Sequence, residues 1–144
     1  MIITLKTTLI RGLYYNYNGK WTANIELEES STLEDIHNAI QEAVDFENDH
    51  LYSFFVSRTD RSQSRDYFDD ENGLIFSTTL SDLFPLPKDR CLFYLFDWRY
   101  EWVFKISPSR KRPREPVQRV KYPRVESESG VKPVQYPSDE DDDE

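Results

Sequence analysis

Between positions 91 and 106 the chain reads CLFYLFDWRYEWVFKI, with a large ring or aliphatic side chain at nearly every place. Written as a strand, this segment puts Tyr94, Phe96, Trp98, Tyr100, Trp102 and Phe104 on one face and Phe93, Leu95 and Val103 on the other. Both faces are then apolar, and both must be covered unless a turn intervenes. The polar stretch 97–101 offers that turn, so the segment reads as two aromatic strands folded back on each other inside a core. A stacking platform for single-stranded nucleic acid would need basic residues interleaved with the rings. Before Lys105 only Arg99 supplies one.

The remaining elements are arranged around this pair. Residues 2–10 are rich in Ile, Leu and Thr, and Trp21, Ala23, Ile25 and Leu27 alternate with polar neighbours, the period of a half-buried strand. Asn18-Gly19 is the turn signal between them, giving an N-terminal β-hairpin. Ser31 followed by Glu34 has capping-box spacing, and Leu33, Ile36, Ile40, Ala43 and Val44 recur at helical steps, which predicts the main helix. Residues 51–56 form a short aromatic strand, 57–73 a polar mobile loop, 74–76 a small strand and 79–84 one helical turn stopped by Pro85 and Pro87. The expected class is α+β: a hairpin, one main helix, then antiparallel strands in a β-grasp-like roll, forming a single domain with a C-terminal arm.

Charge marks the arm. Residues 1–104 carry 9 basic and 18 acidic side chains, 105–124 carry 8 and 1, and 125–144 carry 1 and 8, which sum to a net −9 for the 144 residues. Six of the eight prolines also lie beyond position 107, favouring extended chain. The division read from this is a compact core over 1–106, a Pro-rich arm over 107–137 partly packed on the core, and a disordered acidic tail over 138–144. A single Cys91 excludes an internal disulfide and a four-cysteine zinc cluster, so a reducing compartment is expected. No stretch approaches the roughly 20 apolar residues of a spanning helix, and the N-terminus lacks a signal pattern. Four glycines at 12, 19, 73 and 130 exclude both glycine-rich phosphate loops. A cytoplasmic protein without cofactor, metal or membrane partner is the expectation.

Few residues could carry chemistry. His37 lies on the helix, and His50 follows Asp49 where the chain leaves it, so folding could bring Asp49, His50 and the distant Asp97 together as an acid–base or metal cluster. Ring nitrogens spent on nearby polar groups are the commoner outcome. Cys91, in an apolar run, reads as a small buried hydrophobe. Arg110, Lys111, Arg112 and Arg114 form a basic cluster that would attract phosphate, and the six acids from Asp139 to Glu144 could mask it.

More specific is the run FENDHLYSFF at 46–55, preceded by TLEDIH at 32–37 and followed by LFDWRYEWVF at 95–104, with YPRVESESG at 122–130 and PVQYP at 133–137. Together these resemble the plasmid pRi open-reading-frame-three-like family, whose members are also grouped with insertion-element passenger proteins of the TnpR type. Where the family pattern has Gly-Asp, this chain has Arg99-Tyr100, losing a carboxylate and a glycine that favours a tight turn. The resemblance implies a compact α+β domain of plasmid or mobile-element setting, with its tail packed on the domain. It implies no established activity, and the Ser and Arg constellation of a serine recombinase is absent. The functional expectation is a non-enzymatic accessory module that binds a protein through Asp49, His50, Asp97, Trp98, Tyr100 and Trp102. The alternative is nucleic-acid binding through 105–124, autoinhibited by the acidic tail.

Overall fold

The computed structural model of the protein describes residues 1–12 and 20–136. The Asn18-Gly19 turn and the acidic tail over 138–144 therefore lie outside the described residues. Ten elements follow in order: β1 (Ile2–Arg11), β2 (Thr22–Glu28), α1 (Leu33–Val44), β3 (Tyr52–Ser57), β4 (Asp66–Phe68), α2 (Leu74–Ser77), α3 (Leu80–Leu83), β5 (Cys91–Phe96), β6 (Trp102–Pro108) and β7 (Arg124–Ser129). The strands form one seven-stranded sheet in the order β4-β3-β5-β6-β1-β2-β7. Every neighbouring pair is antiparallel. The architecture is α+β, a seven-stranded antiparallel sheet with few helices.

β5 and β6 occupy the middle of the sheet, as a segment apolar on both faces requires. Tyr94 stands opposite Phe104, and Phe96 opposite Trp102. These four, with Leu92 and Ile106, face α1 and join Leu5, Leu9, Trp21, Ile25, Leu27 and Phe54 in the main core. The other face carries a smaller cluster of Phe55, Phe93, Leu95 and Val103, flanked by Ile10 and Cys91. Over it folds the 57–66 segment, whose Arg65 guanidinium lies 4.1 Å from the centre of the Phe55 ring. Arg65 is held there by the carbonyls of Ser62 at 2.7 Å and Asp60 at 2.9 Å, and Asp60 pairs with Arg11 of β1 at 2.9 Å. A cation over a ring and a fixed loop cover apolar surface that no helix reaches.

α1 buries Leu33, Ile36, Ala39, Ile40, Ala43 and Val44 against the sheet. Its N-cap is Thr32 rather than Ser31: Thr32 Oγ1 accepts from the Asp35 N–H at 3.3 Å, and Asp35 Oδ2 accepts from the Thr32 N–H at 2.9 Å. Two adjacent hydroxyl residues each had a carboxylate three places on, and register against the core selected the second. Residues 74–76 are helical instead of extended, as part of α2 behind Gly73, which takes φ 74. An apolar triplet is too short to show a period, and only Ile75 of it is buried. The polar 57–73 segment contains the three-residue edge strand β4, paired with β3 through Phe54 and Phe68.

Chain beyond β6 is tied to the sheet at its far edge. β7 pairs with β2, and Arg114 exchanges backbone hydrogen bonds with Ile2 at 2.6 and 3.0 Å. Arg114 and Arg124 both bind the carboxylate of Glu26 on β2, a side chain with no exposed surface. A buried carboxylate needs such partners, since an unpaired charge in the interior is strongly unfavourable. Trp21 is fixed in the same corner by its indole N–H, which donates to Glu128 of β7 at 2.9 Å.

Candidate functional site

One end of the sheet gathers three separate pieces of sequence. α1 stops at Asp45, whose φ of 58 turns the chain left-handed, and Asn48 follows at φ 54. Residues 47–50 are thereby brought over the end of β5. β5 itself ends at Phe96; Asp97, with φ 64, opens the turn to β6, which closes at Glu101, with φ 51. The third piece is the end of the described chain, Gln135 and Tyr136.

The Asp97 carboxylate organises the turn. Its Oδ1 accepts from the N–H groups of Arg99 at 3.0 Å and Tyr100 at 3.4 Å, a side-chain turn that stabilises a backbone conformation unusual for a non-glycine residue. Its own N–H donates to the Leu51 carbonyl at 3.0 Å. The side chain is 2% exposed, yet among the described residues Oδ2 has no hydrogen-bond donor. His50 Nε2 lies 3.4 Å from it.

Asp49 and Tyr136 determine which nitrogen of His50 carries its proton. The Tyr136 hydroxyl donates to Asp49 Oδ2 at 2.6 Å, and the Gln135 amide donates to Asp49 Oδ1 at 2.8 Å. With its hydrogen committed, the Tyr136 oxygen can only accept from His50 Nε2 at 2.6 Å. Nε2 is therefore the protonated nitrogen, directed at Tyr136 and beside Asp97. The Tyr136 hydrogen bond, seconded by that of Gln135, holds the Asp49 carboxyl below its ordinary 3.8. The same contact pushes the Tyr136 phenol up to about 12, helped by burial and by the negative charges of Asp49, Asp97 and Glu47. Gln135 is also an acceptor, taking the Glu47 N–H at 2.6 Å.

Behind this corner lies a second polar network. His37 stacks on Tyr52 with ring centres 3.5 Å apart. Its Nε2 lies 2.6 Å from Asn48 Oδ1, an acceptor, so Nε2 holds the hydrogen and Nδ1 accepts from the Tyr94 hydroxyl. Tyr94 in turn accepts from the Gln41 amide at 2.9 Å, and Gln41 accepts from the Asn48 N–H at 3.0 Å. Burial drives the His37 pKa from 6.5 down to about 4 and raises the Tyr94 phenol well above 10. His37 is a satisfied core histidine that braces the 47–50 turn.

Of the residues singled out from sequence, Asp49, His50 and Asp97 do meet. Trp98 stands at the tip of the turn, 51% exposed, and Tyr100 is half-buried with its ring edge-on to Tyr136 at 6.0 Å. Trp102 corrects the expectation: it is 2% exposed, packed on Phe46 with ring centres 5.2 Å apart, and contributes to the core instead of a contact surface. The turn preserves strand parity, so Trp102 continues the inward face of Phe96 while Trp98 is lifted out of it. Gln135 and Tyr136, which complete the corner, lie in the PVQYP run whose family resemblance implies only a tail packed on the domain, and no periodicity ties them to residues 86 or 87 positions earlier. Among the described residues no group of three His, Cys, Asp or Glu could hold a metal ion.

The basic cluster is partly spent. Arg114 is bound to Glu26, and Lys111 pairs with Glu126 at 3.0 Å, while Arg110 and Arg112 are exposed. Half the charge available for phosphate is thus already neutralised. Among the described residues no helix is long and apolar enough to cross a membrane.

Comparison with known proteins adds a family and a fold. The sequence profile of the plasmid pRiA4b ORF-3-like proteins matches residues 20–135. The structure is similar to the crystal structure of a protein of unknown function from Methanosarcina mazei Go1, at 24% identity and a TM-score of 0.68, covering 90% of this chain and 68% of that one. No curated protein matches the chain.

Proposed function

The chain belongs to the plasmid pRiA4b ORF-3-like protein family, and from that premise we propose that it is a non-enzymatic accessory module that binds another protein through the Asp49–His50–Asp97 corner. The observation that carries this reading is the exposure of Trp98 beside a polar centre. Leu51, at 64% exposure, follows His50 in the chain; Trp98, at 51%, follows Asp97; and Tyr136, at 40%, is hydrogen-bonded to both His50 and Asp49. Large apolar side chains ringing a few oriented polar groups are the composition of an interface hot spot, in which a buried aromatic anchor supplies most of the affinity. The polar groups are held by their neighbours before any partner arrives, so binding spends little on ordering them. His50, Tyr136 and Asp49 serve here to fix the shape of the surface and to attach residues 135–136 to it. In this reading the module is soluble and cytoplasmic, and the segment over 107–137 acts as a strap on the 1–106 core. The basic cluster is not carried forward as a nucleic-acid site, because Arg114 and Lys111 are committed to Glu26 and Glu126.

Site-specific photo-cross-linking in cells carrying the protein tests the proposal. p-Benzoylphenylalanine placed at position 98 should give one discrete adduct that disappears with changes in the corner such as Asp49→Asn. The same probe at position 67, exposed on the edge strand β4, should give none. Adducts of equal yield at both positions, or none at 98, would overturn it.

A further inference from the structure

Resting on that reading of the corner, we infer that the partner presents an arginine side chain there, its guanidinium lying on the Trp98 indole and hydrogen-bonded to the Asp49 and Asp97 side. Three observations converge. First, among the described residues Asp97 Oδ2 is an unpartnered acceptor on a side chain 2% exposed, and a buried acceptor without a donor favours any ligand that brings one. His50 Nε2 lies 3.4 Å from it, and that N–H points to Tyr136 at the shorter distance of 2.6 Å. Second, the corner is acidic: Asp49, Asp97 and Glu47 all act on the Tyr136 hydroxyl. Third, Trp98 directly follows Asp97 in the chain and is exposed at the tip of the same turn.

The protein contains its own version of the contact. The Arg99 guanidinium lies 5.7 Å from the centre of the Tyr100 ring, which leaves the neighbouring indole of Trp98 for a cation from outside. Arginine fits better than lysine, because a planar, weakly hydrated guanidinium can stack on a ring and still direct N–H groups at carboxylates in the same plane. The carboxylate of Asp49 already takes one hydrogen bond on each oxygen, and each oxygen retains capacity for another.

The test uses the full chain and three capped tripeptides, Gly-Arg-Gly, Gly-Lys-Gly and Gly-citrulline-Gly, followed by the indole N–H resonances. Trp21 and Trp102 are buried, so they serve as internal references for Trp98. The arginine peptide should shift the Trp98 signal saturably, the lysine peptide more weakly, and the uncharged citrulline peptide not at all. Asp49→Asn and Asp97→Asn should each weaken the arginine peptide by about fivefold or more. Asparagine keeps an oxygen for the Arg99 and Tyr100 N–H groups, and Glu47→Gln at an exposed side chain supplies a further charge deletion should Asp97→Asn not fold. Equal shifts from arginine and citrulline, equal binding of lysine, no shift at all, or unchanged affinity in the charge deletions would overturn the inference. If the adduct at position 98 forms while the arginine peptide fails, the interface stands and its cationic occupant falls; if both fail, the corner is not an interface.

Discussion

His37 should make the protein lose stability between pH 6.5 and pH 4, earlier than its carboxylates do. The ring is 3% exposed, stacked on Tyr52 and hydrogen-bonded to Tyr94 and Asn48, with the Asn48 contact only partly opposing the effect of burial. Its pKa falls from 6.5 to about 4, because burial disfavours the charged form. The folded state therefore binds the proton more weakly than the unfolded state, and stability present above pH 6.5 drains away as pH falls toward the folded value. At about 1.36 kcal/mol for each pKa unit, the complete loss is on the order of 3 kcal/mol, of which about 1 kcal/mol is gone at pH 5.5. Urea unfolding followed by the buried tryptophans would measure this at pH 7 and 5.5 for the wild type and His37→Gln. The variant will be less stable at both pH values, since it breaks the network, but its difference between them should be smaller than the wild type's by about 1 kcal/mol. Equal differences in the two proteins would refute the reasoning and show that His37 is readily protonated in place.

Other expectations follow from single contacts. Glu26→Ala should cost on the order of 1.5–3 kcal/mol by deleting the acceptor that Arg114 and Arg124 share, the two arginines themselves being open to solvent, and hydrogen exchange should rise first in 114 and 124–129. Gly12→Ala should destabilise by about 2 kcal/mol, read as a lowered denaturation midpoint, because the new Cβ would meet ring carbons of the buried Trp102 at 2.6 and 2.8 Å. Tyr136→Phe removes the main cause of the low Asp49 pKa, so an NMR titration of the Asp49 carboxyl should move upward toward 3.8. With it, the small stability that Asp49 contributes above its unfolded pKa, lost as pH falls through the folded one, should disappear.

The residues that defined the fold from sequence were those whose pattern left one physical solution. A segment with rings on both faces belongs in the middle of a sheet, and β5 and β6 are there with their turn at 97–101. Helical spacing from Leu33 to Val44 likewise had one reading, and only its cap moved, from Ser31 to Thr32. Elements whose ordering comes from elsewhere stayed hidden. β4 exists because β3 offers an edge, not because Asp66-Tyr67-Phe68 carries a period, and the 74–76 triplet is helical because Gly73 turns the chain into α2. The same division runs through the corner. Asp49, His50 and Asp97 were visible as residue types able to meet, whereas the tautomer of His50 and the low pKa of Asp49 depend on Tyr136 and Gln135, which approach through tertiary packing of a distant segment. Trp102 and Trp98 look alike in sequence, and the left-handed backbone at Asp97 and Glu101 is what turns one inward and the other out.

Hydrogen exchange of the full chain, with and without the partner recovered through the adduct at position 98, bears most directly on the proposed interface. Slowed exchange confined to 47–52, 96–101 and 133–136 is the predicted footprint. Protection centred on β4 or on the basic 110–114 segment, with the corner unchanged, would contradict it.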